Sequence, residues 1–327
     1  MLAGVLLAVA IASASPAANA YATPGRRIGV DGHRLNIVCM GSGRPVVVLD
    51  AGLGDWSPSW IPIQQKLASS TTVCAYDRAG YGFSDPATSA RTSSTNAREL
   101  HDLLRSAHLP APYVLVGHSF GGLDVLAFVQ TYRRDAAGLV LVDATAPGLP
   151  MPAALKPLMD DQLEAAEKCA PAARAGRLAR ASPTFTSCLG VVWGIGSQPN
   201  NGVTPRLVAA VEAQARRPAP YDAVASEMRN LTASQREVQA GQRSFGDLPL
   251  EVLTATTHGE NQMPPALRAS LQRFESEWRT AHLRLAALST RGRYVLVQSG
   301  HYIQFDRPDV VIGAVHEVLS EVRSARP

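Results

Sequence analysis

Short apolar runs alternate with longer amphipathic stretches over the first 146 residues of the chain. Pro45–Asp50 (PVVVLD) is mostly apolar and too short for a helix, which is typical of a strand buried on both faces. Gly138–Asp143 (GLVLVD) has the same character. Between such runs, Ser93–His108 places its leucines at helical spacing. Strands that alternate with helices predict an α/β fold, with a doubly wound, mostly parallel sheet that helices cover on both faces.

The alternation stops after residue 146 and resumes at residue 247. Residues 147–246 are rich in Ala, Arg and Pro, with helical patterning and no clear strand. Near the N-terminus, Asp31-Gly32 separates two strand-like segments and predicts an antiparallel hairpin. We therefore expect eight strands in one α/β domain, formed by residues 21–146 and 247–327, with residues 147–246 inserted as a helical cap.

Residues 1–20 have the features of a secretory signal peptide. An apolar stretch from Leu2 to about Ala12 leads into small residues that end in Ala18-Asn19-Ala20, an A-x-A cleavage pattern. This stretch is shorter than the roughly 20 apolar residues that span a bilayer, so no stable membrane insertion is expected. A buried N-terminal helix is the alternative. Cleavage would leave Tyr21 first and place the mature chain in a secreted or periplasmic location.

Composition excludes some classes of protein. Hydrophobic residues are 46% and charged residues 18% of the 327 positions, a balance unlike that of a disordered chain. The formal net charge is only +4, and no Lys/Arg block or interleaving of basic and aromatic residues indicates nucleic-acid binding. Composition leaves the oligomeric state open.

Four cysteines remain after cleavage of the signal peptide: Cys39, Cys74, Cys169 and Cys188. An even number in an exported protein permits two disulfides, and four cysteines allow three pairings between which spacing cannot choose. The last two both fall in the insertion, and the first two lie on strands that could be neighbours. No C-x-x-C pair is present, so we predict no zinc site, and we expect no metal or organic cofactor.

The segment Gly117–Gly122 (GHSFGG) contains a G-x-S-x-G motif between an apolar strand and a helical run. This strand–turn–helix context is the one in which the motif presents a nucleophile. The turn is so tight that the positions two before and two after Ser119 must be small, and both are glycine. Ser119 is therefore the predicted nucleophile, held in a strained conformation with its hydroxyl exposed. A Gly/Ser-rich connecting turn is the alternative.

A serine hydroxyl needs a base to take its proton and a third group to orient that base. Among eight histidines, His301 comes just after the strand predicted at 293–298, so it should emerge where the sheet presents Ser119. His258, near the end of the preceding strand, is its rival. His118 is adjacent to Ser119, and we expect its side chain to point away. His301 is the predicted base.

The third group is expected to be Asp143, which ends its strand directly. A carboxylate at a rigid strand end is held well enough to fix an imidazole tautomer. Glu260, which follows the strand at 248–256, is the next candidate.

An oxyanion needs two backbone donors. One should be the N–H of Phe120, directly after the nucleophile. The other should come from residues 50–56 (DAGLGDW), called the oxyanion loop below, whose glycines let backbone N–H groups approach a substrate closely. We assign the Leu53 N–H to this role. An ordinary Gly-rich turn is the alternative.

Taken together, these motifs resemble the α/β-hydrolase superfamily over nearly all of the mature chain. Gly117–Gly122 resembles its nucleophile elbow, and Tyr76–Asp85 (YDRAGYGFSD) resembles the D-x-x-G-x-G-x-S segment after its fourth strand. Ser299–Tyr302 (SGHY) resembles its catalytic-histidine loop, and the oxyanion loop stands where many members carry a His-Gly motif. The resemblance implies a serine-type hydrolase, esterase- or lipase-like, with a helical cap.

Two features of the chain follow from this resemblance rather than from the residues alone. No Asp follows the seventh strand, which fits the family variant whose acid follows the sixth, here Asp143. The family's strand order sets the second strand beside the fourth, which implies a Cys39–Cys74 bridge and leaves Cys169 with Cys188.

The expected function is hydrolysis of a small-molecule carboxylic ester by Ser119, His301 and Asp143. Trp56 and the helices of the insertion indicate an apolar site, and Trp56 and Tyr302 are the candidate substrate contacts. The alternative enzyme is an aminopeptidase of the proline-iminopeptidase type, for which the cap offers Asp160, Asp161 and Glu164 but no decisive acidic cluster. A non-catalytic small-ligand-binding protein on the same fold is an alternative of another class.

Overall fold

A computed structural model describes residues 19–153, 156–180, 182–192, 203–257 and 265–325. In these residues, eight strands form one sheet, and the central strands are buried along their length because helices cover both faces. The strands are β1 (Arg26–Val30), β2 (His33–Met40), β3 (Val47–Asp50), β4 (Val73–Asp77), β5 (Tyr113–His118), β6 (Ala136–Val142), β7 (Leu250–Ala255) and β8 (Gly292–Val297).

The strands lie in the order β1-β2-β4-β3-β5-β6-β7-β8. β2 pairs antiparallel with both β1 and β4, and every pair from β4 to β8 is parallel. Asp31 and Gly32 turn the β1–β2 hairpin with φ of 44° and 83°, the two positive values that a tight hairpin of this kind requires. The predicted doubly wound, mostly parallel sheet is confirmed.

Helices fill the connections between strands. The helix Phe120–Thr131, directly after β5, is buried almost all round because it packs between the sheet and two neighbouring helices, Ser93–Ser106 and Ala219–Ala240. None of the helices in the described ranges is both long and apolar enough to cross a membrane. The helices are α1 (Ile61–Leu67), α2 (Ser93–Ser106), α3 (Phe120–Thr131), α4 (Lys156–Arg174), α5 (Pro183–Val192), α6 (Pro205–Gln214), α7 (Ala219–Ala240), α8 (Pro265–Ala286), α9 (Ile303–Asp306) and α10 (Pro308–Ser324).

In the described residues, the connection from β6 to β7 holds α4, α5, α6 and α7. These helices fall in the range 147–246, whose role as a separate cap stays a prediction. We keep the name cap for it. The cap meets the rest of the chain through α7, where a Cβ atom on Gly80 would lie 2.7 Å from Cβ of Ala223. Such close approach leaves room only for glycine at position 80.

Two disulfides cross-link the chain, with the pairing that the resemblance implies. Cys39 and Cys74 are directly opposite each other on β2 and β4. Cys169 and Cys188 join α4 to α5 within the cap. Each bridge therefore lies within one part of the molecule.

Candidate active site

Ser119 occupies the turn between β5 and α3 with φ of 51° and ψ of −120°. A positive φ is unfavourable for a residue that carries a Cβ atom. The Ser119 N–H donates to the Val142 carbonyl at 3.2 Å, and its own carbonyl accepts from the N–H groups of Gly122 and Thr145 at 2.9 Å each. Hydrogen bonds to β6 and to the loop after it therefore hold the strained turn, while the serine side chain stays half-buried.

Glycine is required on both sides of the nucleophile. A Cβ atom on Gly117 would lie 2.5 Å from the Gly121 carbonyl oxygen. One on Gly121 would lie 2.5 Å and 2.6 Å from the carbonyl oxygens of Ala51 and Asp50. These obstacles are backbone atoms, which cannot rotate away as a side chain would. The strand, the helix and the oxyanion loop thus meet at backbone contact around Ser119.

His301 lies in the loop between β8 and α9, within reach of the nucleophile. Its Nε2 is 3.0 Å from Ser119 Oγ, and its Nδ1 is 2.6 Å from Asp143 Oδ2. An ionised carboxylate only accepts, so Nδ1–H donates to Asp143 and leaves Nε2 as the acceptor for the serine hydroxyl. The Gly300 N–H donates to Asp306 Oδ2 at 2.9 Å and fixes the loop from the other side.

Asp143 is buried at the end of β6, with φ of 41°. Its Oδ2 accepts from His301, and its Oδ1 accepts from the Ala255 N–H at 3.1 Å and from Trp278 Nε1 at 2.9 Å. Donors on both oxygens keep the carboxylate in one orientation. The alternatives Glu260 and His258 lie outside the described residues.

Helix α8 supplies two contacts to this loop that the sequence did not indicate. Trp278 reaches Asp143, and His282, one turn later, lies 2.7 Å from the Ala144 carbonyl through Nε2. A carbonyl only accepts, so Nε2 carries the proton and Nδ1 accepts from the Thr254 hydroxyl at 2.7 Å. Both side chains are buried. In the sequence, only their spacing of four residues could have indicated this shared role, because it places both side chains on one face of a helix.

His118 forms a hydrogen bond with the backbone of the catalytic-histidine loop. Its ring is buried, and its Nε2 donates to the His301 carbonyl at 3.0 Å. Burial, and secondarily the proximity of the His301 ring, lowers the pKa of His118 to about 3. The neutral imidazole therefore adds no positive charge beside His301, and its hydrogen bond to the His301 carbonyl supports the loop that carries the base.

The oxyanion loop lies against the elbow, since a Cβ atom on Gly52 would be 3.3 Å from Ser119 Cβ. The buried Arg78 guanidinium donates to the Ala51 and Gly52 carbonyls at 2.5 Å and 2.7 Å. Because a trans peptide directs its N–H opposite to its carbonyl, the Leu53 N–H turns away from Arg78. The Phe120 N–H belongs to the first turn of α3, where N–H groups have no acceptor within the helix.

Trp56 and Tyr302 have different surroundings. Trp56 is 3% exposed and packs edge-on against Phe83, with ring centroids 5.7 Å apart. The Tyr302 ring lies 5.7 Å from that of His301, and the charge of the nearby Asp55 carboxylate raises the pKa of its hydroxyl well above the usual range. Burial raises the pKa of Asp55 to about 6. Tyr302 thus borders the His301 side chain and Trp56 belongs to the hydrophobic core, and substrate contact stays a prediction for both.

The structure therefore brings Ser119, His301 and Asp143 into one hydrogen-bonded row at the carboxyl edge of the sheet, with the oxyanion loop beside it. Within the part of the chain that the structure describes, no group of three or more His, Cys, Asp or Glu side chains is placed to hold a metal ion.

Comparison with known proteins gives three kinds of match. The sequence profile of the alpha/beta hydrolase family matches residues 46–314. The uncharacterized protein YqjL of Bacillus subtilis (strain 168) is 24% identical over 279 residues, which cover 85% of each chain. Among solved structures, a putative lipase of Acinetobacter baumannii AYE superposes with a TM-score of 0.66 at 17% identity, covering 95% of each chain. A thermophilic esterase of Thermogutta terrifontis superposes with a TM-score of 0.61 at 20% identity, covering 92% of this chain and 98% of that one.

Proposed function

Since the chain belongs to the alpha/beta hydrolase family, we propose that it is a serine hydrolase that cleaves carboxylic esters through an acyl-enzyme. One observation carries the proposal: His301 lies 3.0 Å from Ser119 Oγ through one ring nitrogen and 2.6 Å from Asp143 Oδ2 through the other. A nucleophile, a base and a group that orients the base are the three parts that acyl transfer to serine requires.

In the first half of the reaction, Ser119 Oγ attacks the ester carbonyl and His301 Nε2 takes its proton. Asp143 stabilises the imidazolium that forms and keeps Nδ1 protonated. The Phe120 and Leu53 N–H groups stabilise the oxyanion of the tetrahedral intermediate. His301 then donates its proton to the leaving alcohol, and the acyl group remains on Ser119.

The second half repeats these steps with water. His301 deprotonates a water molecule that attacks the acyl carbonyl, the same N–H groups hold the second oxyanion, and the proton returns to Ser119 as the acid leaves. No step uses a metal ion or an organic cofactor.

We propose an apolar ester of small or medium size as the substrate. Cap residues lie directly over the oxyanion loop: a Cβ atom on Gly54 would be 3.0 Å from the Val191 carbonyl and 3.9 Å from Val224 Cγ2. Val191 and Val224 are thus aliphatic neighbours of the oxyanion loop, which supports binding of an apolar acyl or alcohol chain on this side of the site.

The cap's acidic residues give little support to the aminopeptidase alternative. Asp160, Asp161 and Glu164 on α4 are all exposed, and Asp160 and Glu164 form ion pairs with Lys156 and Lys168 on the same helix. Such surface pairs are solvated and offer no enclosed anionic site for a substrate amine.

We also propose that the enzyme is exported. The segment at residues 1–20 has the pattern of a signal peptide, and two disulfides are typical of proteins that leave the reducing cytosol. Determining the N-terminal residue of the protein recovered from the culture medium or the periplasm tests this, and Tyr21 is the expected result.

The test of activity combines a fluorophosphonate probe with a panel of p-nitrophenyl esters of increasing acyl length. The wild-type protein should be labelled at Ser119 and should hydrolyse the shorter esters. The S119A variant should show no labelling and should lose turnover by about six orders of magnitude. Labelling accompanied by cleavage of aminoacyl anilides but not of esters would instead identify a peptidase. A wild-type protein that is neither labelled nor active would identify a ligand-binding protein.

A further inference from the structure

We propose that Glu227 on cap helix α7 is a positioning residue. It fixes the orientation of the peptide groups of the oxyanion loop through the Arg78 guanidinium. The inference rests on the proposed function, because it assigns a role to the loop that stabilises the oxyanion. In this view, the contacts that dock the cap onto the sheet domain also orient the oxyanion loop.

Glu227 is fully buried, and both of its carboxylate oxygens are used. Oε1 accepts from Arg78 Nε at 2.8 Å, and Oε2 accepts from Arg78 Nη2 at 3.2 Å and from the Tyr81 hydroxyl at 2.7 Å. This two-point contact fixes the plane of the guanidinium, and not only its position. Residues 78 and 81 belong to the loop after β4, so these bonds cross from the cap to the sheet domain.

The terminal nitrogens of the Arg78 guanidinium also contact the oxyanion loop. Nη1 donates to Asp50 Oδ1 at 2.9 Å and to the Ala51 carbonyl, and Nη2 donates to the Gly52 carbonyl. The orientation of the Gly52–Leu53 peptide, and with it the direction of the Leu53 N–H, therefore depends on the orientation of the guanidinium. A group held in place before the reaction begins stabilises an oxyanion better than one that must reorient.

Tyr81 provides a second connection between the same residues. Its hydroxyl donates to Glu227 Oε2 and accepts from the Gly54 N–H at 3.4 Å. This bond holds the second glycine of the oxyanion loop and makes the Gly54 N–H less accessible to a substrate. Glu227 thus reaches the loop by two routes, through Arg78 at the Gly52 carbonyl and through Tyr81 at the Gly54 N–H.

Other carboxylates near Arg78 allow Glu227 to be neutralised without leaving the guanidinium unpaired. Asp50 and Asp124 also lie beside the guanidinium, at 2.9 Å and 3.8 Å. Burial, and next the Asp50 charge, raise the pKa of Asp124 well above its usual range. With the neutral amide of E227Q, Arg78 would still pair with Asp50, so the variant leaves no unpaired buried charge.

The experiment compares E227Q with E237Q. Glu237 lies on the same helix and also contacts the sheet domain, where it accepts from the Ser94 N–H, but it is exposed and does not touch Arg78 or the oxyanion loop. For each protein, kcat and KM are measured with a p-nitrophenyl ester, together with the Ki of a trifluoromethyl ketone. The ketone forms a tetrahedral adduct with serine whose oxyanion occupies the site.

E227Q should lower kcat by about 10- to 100-fold with KM changed less than about threefold, since a displaced oxyanion donor acts on the transition state. Its Ki for the ketone should rise by a similar factor, and E237Q should match the wild type. Y81F, which keeps the ring and removes the hydroxyl, should show a smaller loss in the same direction, and it replaces E227Q if that variant does not fold.

Hydrogen–deuterium exchange provides a readout that does not depend on activity. E227Q should speed exchange of the amides in residues 52–54, whereas E237Q should not. If the wild type neither hydrolyses esters nor reacts with the fluorophosphonate, the proposed function fails, and the exchange experiment still decides whether Glu227 sets the loop. An active E227Q with unchanged kcat and ketone Ki, or unchanged exchange in that loop, overturns the inference.

Discussion

The indole Nε1 of Trp278 donates a hydrogen bond of 2.9 Å to Oδ1 of Asp143, the carboxylate oxygen that does not face His301. Trp278 is 7% exposed and packs beside Phe274 on α8. A helix on the flank of the sheet therefore controls the orientation of the acid. The Ala255 N–H also donates to Oδ1, at 3.1 Å.

Replacing Trp278 with Phe should lower kcat/KM about tenfold, because Asp143 would no longer be held in the one orientation that positions His301. It should also move the acidic limb of the kcat/KM profile to higher pH. A carboxylate with one donor fewer stabilises the protonated imidazole more strongly, so a higher pH is needed to free the base. A pH–rate profile measures both effects.

W60F is the matched control for W278F. Trp60 is equally an indole in the core, but its Nε1 has no hydrogen-bond partner in the described part of the chain. W60F should change stability alone. An identical acidic limb in W278F and the wild type would mean that Trp278 only fills space.

Asp143→Asn should reduce kcat by about 10⁴-fold, because an amide can donate to Nδ1 and favours the wrong tautomer of His301. Glu260→Gln serves as the comparison, since Glu260 is the other candidate acid, and it should leave kcat within about twofold of the wild type. The reverse ranking of the two variants would transfer the role to Glu260.

Gly121→Ala should lower turnover by about 10²-fold or more and destabilise the fold by about 1–3 kcal/mol. The new methyl group would lie 2.5 Å from the Ala51 carbonyl oxygen and would push the oxyanion loop away from Ser119. Gly313→Ala is the control, because Gly313 is exposed on α10 with open space around it. That change should stabilise the protein by about 1 kcal/mol and leave turnover unchanged. Equal effects of the two substitutions would contradict the proposed backbone contact.

His118 should make folding stability fall in mild acid. Its pKa is about 3 in the folded protein and 6.5 for an ordinary histidine, so below pH 6.5 the unfolded chain binds a proton that the native state does not. The stability is complete above pH 6.5 and decreases as the pH falls towards 3, by about 2 kcal/mol at about pH 5. Burial raises the pKa of Asp50 and Asp55 to about 6, and these two groups act in the opposite sense, because their folded carboxyls keep protons that the unfolded chain releases.

A His118→Gln variant isolates this contribution, since the two aspartates are common to both proteins. Urea unfolding at about pH 7.5 and about pH 5 should show that the wild type loses about 2 kcal/mol more than the variant. Parallel changes in the two proteins would refute a neutral, buried His118.

The sequence predicts the sheet and the row Ser119, His301 and Asp143 for a physical reason. Gly117 and Gly121 flank the nucleophile within a single turn, so their steric role is local and visible in the motif. His301 and Asp143 follow β8 and β6, and the ends of parallel strands meet at one edge of the sheet whatever the intervening chain does.

Trp278 and Glu227 could not be found in the same way. Each lies on a helix of 22 residues. From the amphipathic pattern of such a helix, a tryptophan is expected to be an ordinary core residue and a glutamate an ordinary surface residue. Their partners are 135 and 149 residues away, and only the docking of helices onto the strand ends brings them together. The contact of Trp56 with Phe83 belongs to the same class, because an aromatic residue beside a glycine-rich loop does not reveal from sequence which side chain it packs against.

Neither disulfide joins the cap to the sheet domain, so each part contains its own cross-link. The two parts are held to each other by non-covalent contacts and by the peptide chain. Grafting a different cap between β6 and β7 would thus leave the Cys39–Cys74 disulfide intact. Any disulfide within the donor cap would be transferred with that cap. Such a chimera could change substrate preference without rebuilding the nucleophile elbow, provided that the incoming helix presents a carboxylate to Arg78.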